Sequence, residues 1–258
     1  MNVKSIKKNL INIIPTSPEV SVILGSGLGN FIHIMENIIM IPYSKILGFP
    51  NSTVSGHSGQ LIFGYINEKP ILCFSGRFHY YEGLTVDQVN LPILLIHALG
   101  CNTVIITNSS GCLRKEWNIG DLMLITGYID YSFSIKQYVP KIVDINISIN
   151  RLKKIDSIVK KIKINLHKGI YTWTLGPSYE TPSEIKDIIL LGGNAVGMST
   201  VPEIVCARNL GLEVLGISCL TNYGAGMVNK KLSHLDVLSI SKKTNKKFSE
   251  LLKHIIRD

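Results

Sequence analysis

The chain has 258 residues, 45% of them hydrophobic and 17% charged, with a formal net charge of +9 and a mean hydropathy of +0.24. That length supports a full core within one domain, residues 1–258, and the apolar surplus suits a buried sheet; no apolar run reaches the ~20 residues that span a bilayer, so no membrane is expected. The basic excess admits a nucleic acid or an anionic small molecule, but much of it lies in lysines at residues 4–8 and 241–253. Lysine runs of that kind read as solvated helix faces, so no nucleic-acid partner is expected.

The chain opens MNVKSIKKNLINIIP, basic and then apolar, without a small-residue cleavage site. It reads as an amphipathic helix of a cytoplasmic protein rather than a signal peptide. Residues 20–24 form a short apolar strand running into Gly25-Ser26-Gly27-Leu28-Gly29. A glycine turn after a strand lets backbone N–H groups approach an anion, and a helix N-terminus after it would add a favourable dipole. The spacing is GxGxG rather than GxGxxG and no acidic residue follows about 20 positions on, so a nicotinamide cofactor is discounted. Ser26 is left to touch an anion with its hydroxyl.

Residues 52–75 read as two strands around a turn at Asn67-Glu68-Lys69-Pro70, with His57 flanked by small residues at the entry, facing either a cleft or solvent. Arg77, His79 and Tyr81 follow the apolar strand 71–74 and, in an extended run, would share a face. Arginine with histidine makes a charge-assisted cradle for phosphate, and a tyrosine can lie against a sugar. Residues 86–99 have helical period, broken or kinked by Pro92. The strand 103–107 ends at Asn108-Ser109-Ser110-Gly111, and no GxSxG elbow supports a serine hydrolase. After a strand at 121–126 the pattern is weak to residue 150, then a lysine-rich helix runs to about 163.

In the stretch 172–221 a strand at 170–175 is interrupted by Gly176-Pro177. Thr181 then caps a helix, with Pro182 at its first position and Glu184 completing a capping box. Glu180 therefore sits at a strand-to-helix switch, either ligand-binding or a solvated loop carboxylate. A helix at 202–210, a strand at 212–218, a loop at 221–227 and a final basic amphipathic helix that His234 caps or precedes complete the chain. The alternation predicts an α/β fold with a central, mostly parallel mixed sheet flanked by helices. The five cysteines, Cys73, Cys101, Cys112, Cys206 and Cys219, form no CxxC pair and suggest neither a metal site nor a disulfide framework.

Seven motifs in order, ILGSGLG, STVSGHSGQL, GRFHYYEG, TNSSG, GPSYETPSE, AVGMSTVPE and TNYGAG followed by LSH, give the chain a resemblance to the trimeric purine nucleoside phosphorylases and methylthioadenosine phosphorylases. The resemblance implies a homotrimer of nucleoside phosphorylase fold that cleaves purine nucleosides with inorganic phosphate as co-substrate and no cofactor. It implies phosphate binding by Ser26, His57, Arg77, His79, the backbone at Ser109, and Ser199. Tyr81, Met198 and His234 would hold ribose, Tyr179 would pack near sugar and base, and Glu180 and Asn222 would hold the purine, with His79, Glu180 and Asn222 as the catalytic residues.

These residue types suit the reaction. Breaking the glycosidic bond builds positive charge on ribose and negative charge on the base, which calls for an anion beneath the sugar and a donor at the purine. Glu180 can accept from N1–H of inosine or guanosine but would face the N1 lone pair of adenosine. Asn222, where the methylthioadenosine branch carries aspartate, agrees with a 6-oxopurine substrate. Between residues 128 and 149 the chain departs from the family, whose longer loop sends an aromatic into the neighbouring subunit; Tyr138 or Val139 stands in its place. The serines of TNSSG replace frequent alanines, adding a hydroxyl near phosphate or filling space. A methylthioadenosine or xanthosine phosphorylase, a nucleoside hydrolase and a purine-binding protein without catalysis are the rival readings.

Overall fold

The computed structural model describes residues 3–50, 58–133, 139–229 and 233–258. After helix α1 (Val3–Leu10) and strand β1 (Val20–Ile23), a 3-10 helix (Gly29–Ile34) leads to β2 (Glu36–Pro42), β3 (Gln60–Ile66) and β4 (Lys69–Ser75). Helices α2 (Val86–Val89) and α3 (Leu91–Ala98) precede β5 (Thr103–Cys112), β6 (Leu122–Asp130) and β7 (Ile142–Asp144). Then α4 (Ile149–Ile162), β8 (Leu166–Trp173), α5 (Pro182–Leu190), β9 (Ala195–Gly197), α6 (Val201–Asn209), β10 (Glu213–Tyr223) and α7 (His234–Arg257) complete the order.

All ten described strands belong to one sheet, in the order β10-β6-β8-β9-β5-β1-β4-β3-β2, with β7 on β6. A further pairing of β5 with β10 closes β5, β10, β6, β8 and β9 into a ring. The α/β class holds, but the sheet is evenly mixed: β1 with β4 and β5, β5 with β10, β8 with β6 and β9 run parallel. The other five described pairings run antiparallel. One cause is local. Asn67 and Glu68 both take positive φ, 48° and 65°, the two-residue turn that folds β3 back onto β4 as a hairpin.

The inner strands are apolar on both faces, as burial between helices demands. Leu72 and Phe74 of β4 and Val104 and Ile106 of β5 join a core beneath α1, α3 and α6. Their neighbours Ile71, Cys73 and Ile105 join the opposite core, beneath α4 and α7. Strand β2 is missing from the sequence expectations because Ile38–Ile41 is apolar on both faces and shows no polar alternation: Ile39 and Ile41 face the core while Ile38 and Met40 stay exposed on this edge strand. The break expected near Pro92 falls at Asn90, with Pro92 in the first turn of α3. Among the described residues no helix is long and apolar enough to cross a membrane.

Candidate active site

The cleft opens where β5 changes partners. Strand β1 pairs with β5 only as far as Ile23 opposite Ile106, and β9 begins to pair where Val196 meets Gly111. Between them no described strand pairs with Thr107–Ser110 on that edge, the switch point at which open α/β sheets bind ligands. Strand β5 thus runs on through residues that had read as a strand end, and β10 likewise runs through Thr221 and Asn222, with a bulge between Leu220 and Asn222.

The glycine turn fills the gap because two β5 hydroxyls hold it down. Thr107 Oγ1 donates to Ile23 O at 2.9 Å and accepts from the Gly25 N–H at 3.1 Å. Ser109 Oγ donates to Ser26 O at 2.7 Å. Its single proton being used there, Ser241 of α7 donates to Ser109 across 2.9 Å. The Ser109 hydroxyl therefore joins the glycine turn to α7, neither space-filling nor aimed at a ligand. Gly25 lies so close to β5 that a Cβ would fall 2.5 Å from Asn108 Cα, a backbone atom that cannot yield. The element after the turn is a six-residue 3-10 helix, not the α-helix whose dipole was expected.

Arg77, only 1% exposed, is held on three sides. Its Nε sits 3.1 Å from Oε1 and 3.0 Å from Oε2 of Glu203, a buried carboxylate in the first turn of α6. Its Nη1 donates to Thr107 O at 2.7 Å and to Ser199 Oγ at 3.3 Å. Ser199 precedes Thr200, whose φ of 79° and ψ of −48° form a γ-turn closed by the Val201 N–H on Ser199 O at 2.9 Å. Such a conformation costs a β-branched residue of order 1–3 kcal/mol. Asn108 Nδ2 holds it by donating to Thr200 Oγ1 at 3.0 Å.

His79 is extended, but residues Tyr80–Glu82 turn into a 3-10 helix, so the expected strand-like run through Tyr81 does not form. The turn still brings Tyr81 back onto His79, the rings stacked at 4.8 Å. Glu82 Oε1 takes the His79 backbone N–H at 2.8 Å and meets Nδ1 at 3.1 Å. Burial, reinforced by Glu82, pushes the Tyr81 phenol up to about 12, so it stays a neutral donor. Gly176 packs against Met198 and Tyr81: a Cβ there would meet Met198 Sδ at 2.5 Å and Tyr81 Cδ1 at 2.9 Å.

Glu180 lies between the cis Gly176-Pro177 peptide and α5. The capping box forms as read, Thr181 Oγ1 accepting from the Glu184 N–H at 3.3 Å and Glu184 from the Thr181 N–H at 2.7 Å. Thr174 Oγ1 donates to Glu180 Oε1 at 2.7 Å. Burial holds the Glu180 carboxyl above its ordinary range, opposed by that hydroxyl and by its own backbone N–H. Asn222 Oδ1 accepts from Thr221 Oγ1 at 2.9 Å and its Nδ2 donates to Tyr223 O at 3.1 Å. His234 is the first residue of α7 rather than its cap, which is Ser233.

One cavity is lined by Ser26, Arg77, His79, Ser109 and Ser199 together with Tyr81, Tyr179, Glu180, Met198, Asn222 and His234. Electrostatic influence orders them: Tyr81 feels Arg77 and Tyr179, and Tyr179 feels Glu180 and Asp236. The remaining candidates, His57 and Tyr138, lie outside the described residues; Val139 is exposed on the surface. Glu82, Thr174 and Glu203 were not singled out from sequence. Only Glu82, three residues after His79, carried a signal, the spacing of a capping box. Among the described residues no three His, Cys, Asp or Glu side chains cluster to hold a metal.

Residues 19–257 match the family model described as the phosphorylase superfamily. The chain is 40% identical over 253 residues to purine nucleoside phosphorylase 1 of Geobacillus stearothermophilus, covering 95% of this chain and 92% of that protein. Its fold is similar to that of Schistosoma mansoni purine nucleoside phosphorylase in complex with adenosine, TM-score 0.89 and 29% identity, covering 100% of this chain and 96% of that one. The Schistosoma mansoni enzyme in complex with inosine matches with TM-score 0.88 and 28% identity, over 99% and 95% of the two chains. A glycine turn pinned into a sheet gap, a buried arginine and a carboxylate at one cleft thus sit on a chain that belongs to the purine nucleoside phosphorylases of the phosphorylase superfamily.

Proposed function

We propose that this chain cleaves the N-glycosidic bond of 6-oxopurine ribonucleosides and deoxyribonucleosides, such as inosine and guanosine, with phosphate, releasing the base and (deoxy)ribose 1-phosphate for purine salvage. The observation that carries the reading is the single cleft with cationic and hydroxyl donors around Arg77 and a carboxylate with an amide around Glu180. Phosphate is the co-substrate, held by Ser26, His57, Arg77, His79, the Ser109 backbone and Ser199, and no cofactor takes part. With His79 Nδ1 on Glu82, its Nε2 meets the phosphate.

A phosphate oxygen bonds to C1′ as the bond to the purine nitrogen breaks; the electron pair goes to the base, which takes up a proton from phosphate or solvent. Ribose lies against Tyr81, Met198 and His234, with Tyr179 near sugar and base. Because Oδ1 of Asn222 accepts from Thr221 and one Nδ2 proton goes to Tyr223 O, the second N–H donates to the N7/O6 edge as charge develops there. Ionised Glu180 accepts from N1–H.

We also read residues 1–258 as one domain, assembled as a homotrimer in the cytoplasm. Exposed Phe133 and Val139, in the stretch 128–149 where the sequence departs from the family pattern, supply apolar surface for a subunit contact, and all five cysteines are free thiols, which suits a reducing compartment. Base release from inosine and adenosine, each with and without phosphate, tests the activity. Release from inosine alone, and only with phosphate, is expected. Comparable adenosine cleavage would overturn the base assignment, phosphate-independent release would make the chain a hydrolase, and no release would leave a purine-binding protein.

A further inference from the structure

Glu180 borders two cavities, the cleft on one side and, on the other, an outer hollow lined by Tyr131, Phe133, Thr174 and Leu175. Thr174 lines only the outer one and is 8% exposed. It directly follows β8, and its N–H donates to Gly197 O of β9 at 2.9 Å, so its backbone is part of the rigid sheet. Its hydroxyl has one proton and two acceptors, Glu180 Oε1 at 2.7 Å and Gly197 O at 3.5 Å. The longer contact is at the limit of hydrogen bonding, which commits the proton to the carboxylate.

We infer that Thr174 is a positioning residue that sets base preference: its sheet-anchored hydroxyl fixes the Glu180 carboxylate in the orientation and ionised state that accept N1–H of a 6-oxopurine. The inference rests on the function proposed above and assigns its selectivity to a residue behind the site. The described groups around Glu180 are Glu184 and Tyr179 on its own segment, with His234 at the start of α7 and the uncharged Asn222 of β10 on the same cleft wall; Asp236 of α7 acts on the adjoining Tyr179. Burial and Glu184 disfavour the charge; among the described residues the Thr174 hydroxyl and one backbone N–H offset them. Protonated, Glu180 would instead donate to the N1 lone pair of a 6-aminopurine, so affinities for the two base classes should run oppositely with pH.

The test is binding of hypoxanthine and of adenine across pH 5–8 by wild type, Thr174→Val and Thr174→Ser, alongside inosine turnover. Thr174→Val keeps the shape and removes the donor. Its loss of hypoxanthine affinity on acidification should begin about one pH unit higher, with an about tenfold loss at the pH where wild type is half-maximal, while adenine binding strengthens; Thr174→Ser should restore the wild-type profile. If Thr174→Val is too unstable to assay, Thr174→Cys, a weaker donor of similar size, should shift the profile part of the way. Unchanged profiles in the assayable variant, or equal weakening of both bases at every pH, would overturn the role. Absence of turnover by wild type would overturn the proposed activity and leave the binding profiles to judge Thr174.

Discussion

Glu180 places a charge where burial resists it, and the sign of its effect on stability follows. A carboxyl held above its ordinary pKa in the native state binds its proton more tightly there than in the unfolded chain. Stability is therefore greatest below the unfolded pKa and declines as pH rises through the folded one. Glu180→Gln should be no less stable than wild type at pH 7, and its advantage in Tm should shrink on acidification toward pH 4, followed by thermal melts at each pH. The same substitution should lower inosine cleavage at least about a hundredfold, because a site built around one buried hydrogen bond rejects a mismatch strongly.

At the scale of elements, the site depends on how strands stop and helices start. Helix α5 begins one residue after Thr181, and the reciprocal bonds between Thr181 and Glu184 fix its first turn. Thr181→Ala should cost about 1 kcal/mol, a fall in Tm of roughly 2–4 °C for a chain of this size. It should also lower kcat/KM for inosine, since Glu180 adjoins the loosened cap. A drop in Tm with unchanged kcat/KM would separate the helix from the site. The γ-turn at Thr200 works the same way at the start of α6, aiming Ser199 toward Arg77.

At the scale of the whole molecule, Arg77 and Glu203 connect β4, β5 and α6 through one buried ion pair. Phosphate that binds only the native state should raise Tm, by an amount equivalent to about 2.7 kcal/mol at a concentration 100 times its Kd. Arg77→Ala should remove that shift and also cost about 3–5 kcal/mol, because Glu203 is left buried without its cation. The pair Arg77→Met with Glu203→Leu should recover much of the stability but not the phosphate-dependent shift. Melts with and without phosphate distinguish the outcomes; a shift surviving in the pair would remove Arg77 from the phosphate site.

Local chemistry made much of this legible from the chain. The cap at Thr181, a helix break near Pro92, a turn within Asn67–Pro70 and the glycine turn after β1 are written in residues a few positions apart, whose conformational preferences act wherever the segment lies. Ser26, Arg77, His79, Tyr81 and Glu180 stood out as unusual side chains at element ends, whereas the roles of Ser109, Tyr179, Met198, Ser199, Asn222 and His234 came from the family resemblance of their motifs. Tertiary structure alone decided what stands behind them. Thr174 and Glu180 are six positions apart across an irregular loop, Arg77 meets Glu203 across 126 positions, and Ser109 joins Ser26 and Ser241 from opposite ends of the chain. Such contacts exist only once β5 has passed from β1 to β9, because strand pairing between distant segments is set by packing of the whole sheet and leaves no periodic trace in any one of them.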